Sequence, residues 1–368
     1  MSTPARHARL STNLRLAPTR YEPVARIATG GMAEVWRANA VFEDGESHPV
    51  AIKRVLPQLA TDPRFRRMFE DEARLGMLLK HANIVRIYDA RAVGDSLLMI
   101  MELVDGAPLK ALTDHAIARG VGFPLAAALY IARELCRALA HAHDATDREG
   151  RPLSVVHRDV SPHNVLLGRD GAVKLADFGL ANATSNADAD PGGMVGGKLG
   201  DLAPELIAQQ PTTHAIDVFA AGIVLWELLT GRRLFGRDTD EETVRAVARC
   251  EVVPPSHLNP AVPATVDALL ARALHPDPAQ RTPDARTLAD ALDALIAATD
   301  DAVGPKDVGL LVGLFLAGQR KKPAEPVEDV AALLAAELER FVLDADARPD
   351  AGTAPLDPAE FLTLRAHR

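Results

Sequence analysis

From about Tyr21 to Met101 apolar positions tend to recur every second residue; from about Leu109 to Ala298 they recur every three to four. A strand-rich region therefore precedes a mostly helical one. In the first region Val50–Val55 alternates, which puts Ala51, Lys53 and Val55 on one face of a strand. The helix that follows opens with Asp62 as N-cap and Pro63 at its first position. Its apolar stripe runs Phe65, Met68, Phe69, Glu72, Leu75, Leu79, so one carboxylate sits among hydrophobic neighbours. In the second region a nearly all-apolar helix opens at Asp217-Val218-Phe219 and stops at Gly231, the pattern of a helix in a core. Beyond Asp300 the helical pattern is interrupted by Lys321-Lys322-Pro323-Ala324-Glu325-Pro326, a linker, and resumes as an amphipathic helix over Glu328–Leu343.

Composition narrows the class. The chain has 368 residues, 48% hydrophobic and 25% charged, enough for a two-lobed unit with a large core. Its 41 basic and 50 acidic side chains give a net charge of −9, which argues against a nucleic-acid partner. Cys136 and Cys250, both in apolar helical surroundings, are expected as buried reduced thiols, and no metal-ligand spacing accompanies them. The longest apolar stretches, Val218–Leu229 and Leu310–Ala317, are too short for a membrane span. Residues 1–20, with four arginines and no acid, are expected to be a disordered tail rather than a transit peptide, and the location cytoplasmic.

Candidate chemistry lies in three places. Ala28-Thr29-Gly30-Gly31-Met32-Ala33 forms a turn between two strand-like runs, and Gly30 and Gly31 would let backbone amides approach phosphate oxygens; a plain hairpin explains that segment equally well. Lys53 is the natural cation for Glu72, because an unpaired buried carboxylate costs several kcal/mol or more, roughly. Most specific is Val155-Val156-His157-Arg158-Asp159-Val160-Ser161-Pro162-His163-Asn164-Val165, a polar turn clamped between apolar runs. After a hairpin at Arg169-Asp170-Gly171 the return strand delivers Asp177-Phe178-Gly179, so Asp159, Asn164 and Asp177 emerge side by side. An Asp and an Asn oxygen suit Mg²⁺, and the remaining Asp can orient a hydroxyl.

With Val50-Ala51-Ile52-Lys53, His157-Arg158-Asp159, Asn164, Asp177-Phe178-Gly179, Ala203-Pro204-Glu205 and Arg281, the chain resembles a bacterial eukaryotic-type (Hanks-type) serine/threonine protein kinase over about 21–298. The resemblance implies an α+β, bilobal fold: a small antiparallel β-sheet lobe with one helix (about 21–101) and a larger, mainly helical lobe (about 109–298). It implies Mg-ATP (or Mn²⁺) as cofactor and proteins as substrates. Lys53, held by Glu72, is expected on the α- and β-phosphates. Asn164 and Asp177 are expected to hold the metal, with Asp159 as the base. Ala28, Gly30 and Gly31 would cover the phosphates. Val35, Ala51 and Leu166 would sandwich adenine, with Met101 at the back and the Glu102 carbonyl and Val104 amide on the purine edge. Arg281 would pair with Glu205.

The sequence also departs from that pattern. Ala28 and Ala33 replace two loop glycines, and Gly76 stands one turn after Glu72 where relatives carry a larger residue, so the helix is expected to be loosely held. Ser161 stands where Lys is usual, and Lys198 where Thr is usual; their side chains are expected to exchange roles, Lys198 reaching Asp159 and the γ-phosphate. Asp201 replaces a usual Tyr. Thr184 and Ser185 are the candidate phosphate acceptors in the loop before Glu205. Two rivals remain, a kinase-fold binding module without activity and a small-molecule kinase. The extension, 299–368, is expected to pack a Leu310, Leu311, Leu314, Phe315, Gly318 stripe on the large lobe, or else to recruit a partner or a second copy.

Overall fold

The computed structural model describes residues 18–178, 199–299, 304–319 and 328–346. Five antiparallel strands form the first sheet: β1 (Arg20–Thr29), β2 (Ala33–Val41), β3 (Ser47–Val55), β4 (Ile87–Val93) and β5 (Ser96–Glu102), in the order β1-β2-β3-β5-β4. One helical turn, α1 (Pro57–Ala60), precedes α2 (Pro63–Leu78), which starts as its sequence requires: Pro63 follows Asp62, whose carboxylate accepts the Arg64 N–H. Helix α2 packs on one face of the sheet through Phe69 and Ala73.

A short segment, β6 (Gly106–Pro108), leads into α3 (Leu109–Ile117) and α4 (Leu125–His143). Strands β7 (Val165–Gly168) and β8 (Val173–Leu175) pair with β6 in a second small sheet. The turn α5 (Pro204–Ile207) precedes the core helix α6 (Ala215–Thr230), buried at every residue and capped at Gly231. Around it lie α7 (Asp240–Arg249), α8 (Ala264–Ala273) and α9 (Ala285–Ala297). A continuous apolar core joins α3, α4, α6, α8 and α9 to the second sheet. Cys136 is buried in α4, whereas Cys250 ends α7 in a left-handed conformation and is half-buried; both are free thiols.

Beyond α9 the chain forms α10 (Pro305–Gly318) and α11 (Glu328–Asp346), which dock on different lobes. On α10 the buried residues are Val308, Gly309 and Val312, while Leu310 and Leu314 are 62% and 64% exposed. The stripe expected to dock is thus turned partly outward. The reason is close backbone approach: a Cβ on Gly309 would come within 2.5 Å of the Arg169 carbonyl oxygen, and one on Gly171 within 1.6 Å of that of Pro305. The helix meets the β7–β8 turn through glycines, a contact that hydrophobic periodicity does not report. Helix α11 instead covers the outer face of the five-stranded sheet, placing Leu334, Leu338 and Phe341 against Trp36, Val50, Ile52, Leu98 and Ile100. β3 is therefore buried on both faces, with every residue from Val50 to Val55 covered.

Candidate active site

Period-two alternation turns Lys53 to the inner face of β3, toward α2. Its Nζ lies 2.8 Å from Glu72 Oε1 and 2.8 Å from Asp177 Oδ1. Burial alone would pull the Lys53 ammonium down, but the carboxylates of Asp177 and Glu72 outweigh it and hold the group above the usual lysine range. Burial pushes the Glu72 carboxyl up to about 7 against the pull of Lys53, and its second oxygen is buried without a partner. Asp177 is half-exposed; against burial, the adjacent Lys53 holds it below the usual carboxylate range.

The loop carrying Asp159 is held from beneath by α6. Asp217, 1% exposed, accepts the backbone N–H of His157 (2.8 Å) and of Arg158 (2.9 Å), and meets His143 Nε2 at 2.8 Å. These bonds fix Arg158 at φ 67°, a left-handed conformation that Asp177 shares at φ 60°. Each costs on the order of 1 kcal/mol or more, a strain typical of sites that over-determine their backbone. His157 links the two segments. The Asp159 N–H donates to its Nδ1 (3.2 Å), so the proton is on Nε2 and donates to the Ala176 carbonyl (3.0 Å). Its ring also meets Phe178 edge-on, with centroids 4.6 Å apart.

Asn164 Nδ2 donates to the Asp159 backbone oxygen (2.8 Å) and to Asp159 Oδ2 (2.9 Å). With its amine thus engaged, the amide presents Oδ1 as its remaining pole. The Ala176 N–H donates to the Asn164 carbonyl at 2.8 Å, so the residue before Asp177 is bonded directly to Asn164. A carboxylate and an amide oxygen at neighbouring strand ends fit a hard divalent cation that takes its other oxygens from phosphates and water. Among the described residues no group of three or more His, Cys, Asp or Glu gathers as a metal cage.

The remaining expected residues lie on the neighbouring strands and turns. Val35 faces Lys53 across β2–β3, Ala51 faces Met101 across β3–β5, and Leu166 lies half-buried on β7. Met101 and Glu102 at the end of β5 and Val104 just after it are half-buried, and the Glu102 carboxylate meets Lys174 Nζ at 2.9 Å. Ala28 pairs with Val35 at the base of the Gly30–Gly31 turn, which is closed by the Gly30 N–H on the Ala33 carbonyl. Neither glycine has a positive φ or a neighbour that would exclude a Cβ, so nothing in the fold itself demands glycine there.

Gly76 leaves no gap. Ile87 Cδ1 lies 2.2 Å from where a Gly76 Cβ would stand, and only about 20 Å³ of cavity remains between α2 and Phe178. The loose helix expected from Gly76 is thus filled from β4. Ser161 is fully buried, its Oγ without a hydrogen-bond partner. Gly179, Thr184, Ser185 and Lys198 lie outside the described residues. Below the site, Arg281 forks onto Glu205 at 2.7 and 3.1 Å, donates to the Ala215 carbonyl at 2.8 Å and stacks over Phe219. A groove of about 350 Å³ between α8 and α9, lined by Thr265, Arg272 and Leu295 among others, contributes none of these residues.

Sequence reasoning missed His143, whose bond to Asp217 no motif marks, and the buried pair Arg54–Glu337, for which a signal existed. Leu334, Glu337, Leu338 and Phe341 repeat at helical spacing with a carboxylate among them, as Glu72 does on α2.

The family model described as protein kinase domain matches residues 21–291. The chain is 36% identical over 298 residues to the tyrosine-protein kinase MasK of Myxococcus xanthus, covering 81% of this chain and 46% of that protein. It is 36% identical over 262 residues to the serine/threonine-protein kinase PrkC of Bacillus subtilis, covering 71% of this chain and 38% of PrkC. With the serine/threonine-protein kinase PknL of Mycobacterium tuberculosis it shares 34% identity over 280 residues, 76% of this chain and 66% of PknL. The chain thus spans only part of the length of these relatives. Among solved structures, the Mycobacterium tuberculosis PknI kinase domain superposes with a TM-score of 0.54 at 26% identity, covering 78% of this chain and 99% of that one.

Proposed function

The chain belongs to the protein kinase family, and on that premise we propose that it transfers the γ-phosphoryl group of Mg-ATP to serine or threonine hydroxyls of proteins. The observation that carries this reading is the joined set Lys53–Glu72–Asp177 and Asp159–Asn164, complete and bonded across the cleft. An inactive binding module would have no need of a buried ammonium between two carboxylates beside two strained backbone positions.

In this reading Lys53, steadied by Glu72, contacts the α- and β-phosphates, and Ala28, Gly30 and Gly31 close over them. Asn164 and Asp177 hold Mg²⁺, or Mn²⁺, which would neutralise charge on the phosphate oxygens. Asp159, oriented by Asn164, accepts the proton of the attacking hydroxyl. Val35, Ala51, Met101 and Leu166 enclose the purine, with Glu102 and Val104 at its edge. The exchange of roles between Ser161 and Lys198 is also part of this proposal. Residues 21–298 act as the catalytic unit, 1–20 as a tail and 299–368 as an extension. No described helix is long and apolar enough to cross a membrane; a cytoplasmic site of action is part of this proposal.

Transfer of labelled phosphate from ATP to a general protein substrate, followed by phosphoamino-acid analysis, tests the reading. Phosphoserine and phosphothreonine are expected from wild type and none from Asp177→Ala. Equal labelling by both would overturn it, and phosphotyrosine alone would move the chain to the acceptor class named for MasK.

A further inference from the structure

The outer face of β3 carries a second ion pair, placed back to back with the first. Arg54 follows Lys53 and so points the other way. Its Nε and Nη2 each donate to a Glu337 carboxylate oxygen at 2.6 Å, and its Nη1 donates to Glu34 Oε1 at 3.0 Å. Ser96 Oγ donates to Glu337 Oε1 at 2.7 Å. All four side chains are buried: Arg54 is 4% exposed, Glu34 4%, Ser96 6% and Glu337 8%. Leu334, Leu338 and Phe341 share the Glu337 face of α11 and pack on the sheet, and Arg91 stacks on Phe341 while donating to its backbone carbonyl.

Stability alone gives no reason for this arrangement. A buried ion pair is weak evidence for stability, since apolar residues of similar volume often hold a helix as well or better. What a fork-on-fork guanidinium–carboxylate contact adds is fixed direction, which hydrophobic contact does not supply. The strand whose position it fixes is the one that carries Lys53. The extension bearing Glu337 is anchored at two points. α10 is wedged by Gly309 against the turn at Arg169–Gly171, between the strands whose far ends carry Asn164 and Asp177, and α11 lies on the small-lobe sheet. One length of chain thus grips the lysine-bearing strand and the metal-side hairpin.

We propose that Glu337 is a positioning residue for phosphoryl transfer: through Arg54 it fixes β3, and with it Lys53, relative to the phosphates. The proposal rests on the kinase reading above and extends it to the extension beyond 299.

The test uses the full chain and steady-state kinetics with Mg-ATP and a protein substrate, alongside far-UV circular dichroism and thermal unfolding. Glu337→Ala and Glu337→Gln are expected to raise the KM for ATP and lower kcat, with kcat/KM for ATP falling tenfold or more. The KM for the protein substrate, which on the kinase reading docks on the large lobe, should stay unchanged. The double variant Arg54→Met with Glu337→Met removes both charges and keeps the packing, so it supplies a folded protein even if the single variants unfold. Glu34 keeps Arg26 at 3.8 Å, so the double variant is expected to fold and still show the loss in kcat/KM for ATP. A stable double variant with wild-type kinetics would reduce the pair to packing and overturn the proposal. Inactive wild type would instead sink the kinase reading, so the two failures are distinct.

Discussion

Lys53 Nζ stands 2.8 Å from Glu72 on α2 and 2.8 Å from Asp177 after β8, so one ammonium ties the small lobe's helix to the segment that follows β8 in the large lobe. Both contacts are charge-assisted in a cleft where Lys53 is 6% and Glu72 2% exposed. The geometry of both lobes therefore converges on a single side chain.

Replacing Lys53 by Met should lower turnover by at least about a hundredfold, the scale of losing one positioned charge in a dry site. The fold should survive, because Glu72 can take up a proton once its cation is gone. Phosphate incorporation with a circular dichroism control checks this. Wild-type turnover in the Met variant would refute the assignment of the cleft.

Glu72 also sets a pH dependence of stability. Burial pushes its carboxyl up to about 7 in the folded protein, above the usual 4.5 of a free glutamate, so the folded state binds this proton more tightly than the unfolded chain. The contribution is fully present below the unfolded pKa and is lost as pH rises from about 4.5 through 7, by roughly 3 kcal/mol at most. Glu72→Gln cannot titrate and should flatten that part of the curve. Urea unfolding of metal-free protein at a series of pH values measures it; an identical slope in wild type and variant would refute the assignment.

Much of this was legible because local patterns report local pairings. A carboxylate on the apolar stripe of α2 pointed to Lys53, only 19 residues away, and Asp159, Asn164 and Asp177 come together through one hairpin. Glu337 gave the same signal, but its partner lies 283 residues earlier, and no local pattern chooses among distant cations. The docking face of α10 was misread for another reason: its deepest contact is made by Gly309, which hydrophobic spacing treats as a blank. The consequence of Gly76 was misjudged because the side chain that fills its place, Ile87, comes from another element.

Gly76 and Ile87 should therefore couple. Gly76→Ala forces the Ile87 side chain to turn and should destabilise by roughly 1–3 kcal/mol, the usual cost of overpacking. Ile87→Ala relieves that clash, so the double variant should be more stable than the sum of the two single effects by on the order of 1 kcal/mol. Denaturant unfolding of the four proteins completes the cycle. Strict additivity would mean that the two positions do not share the space.

Arg281 and Glu205 give the last test, in the large lobe. Arg281 is 4% exposed and Glu205 4%, and the guanidinium also satisfies the Ala215 carbonyl at the start of α6 and lies 4.8 Å over the Phe219 ring. Arg281→Ala removes all of these contacts and strands a buried carboxylate, so it should cost about 3–5 kcal/mol. Arg281→Met with Glu205→Met removes both charges together and should recover most of that loss, because no unpaired charge remains. On the proposed function the segment before α5, the turn in which Glu205 lies, receives protein substrate, so the double variant should regain stability without regaining the wild-type KM for that substrate. Thermal unfolding and substrate titration separate the two effects. A loss below about 1 kcal/mol in Arg281→Ala would show that the pair does not hold this part of the lobe together.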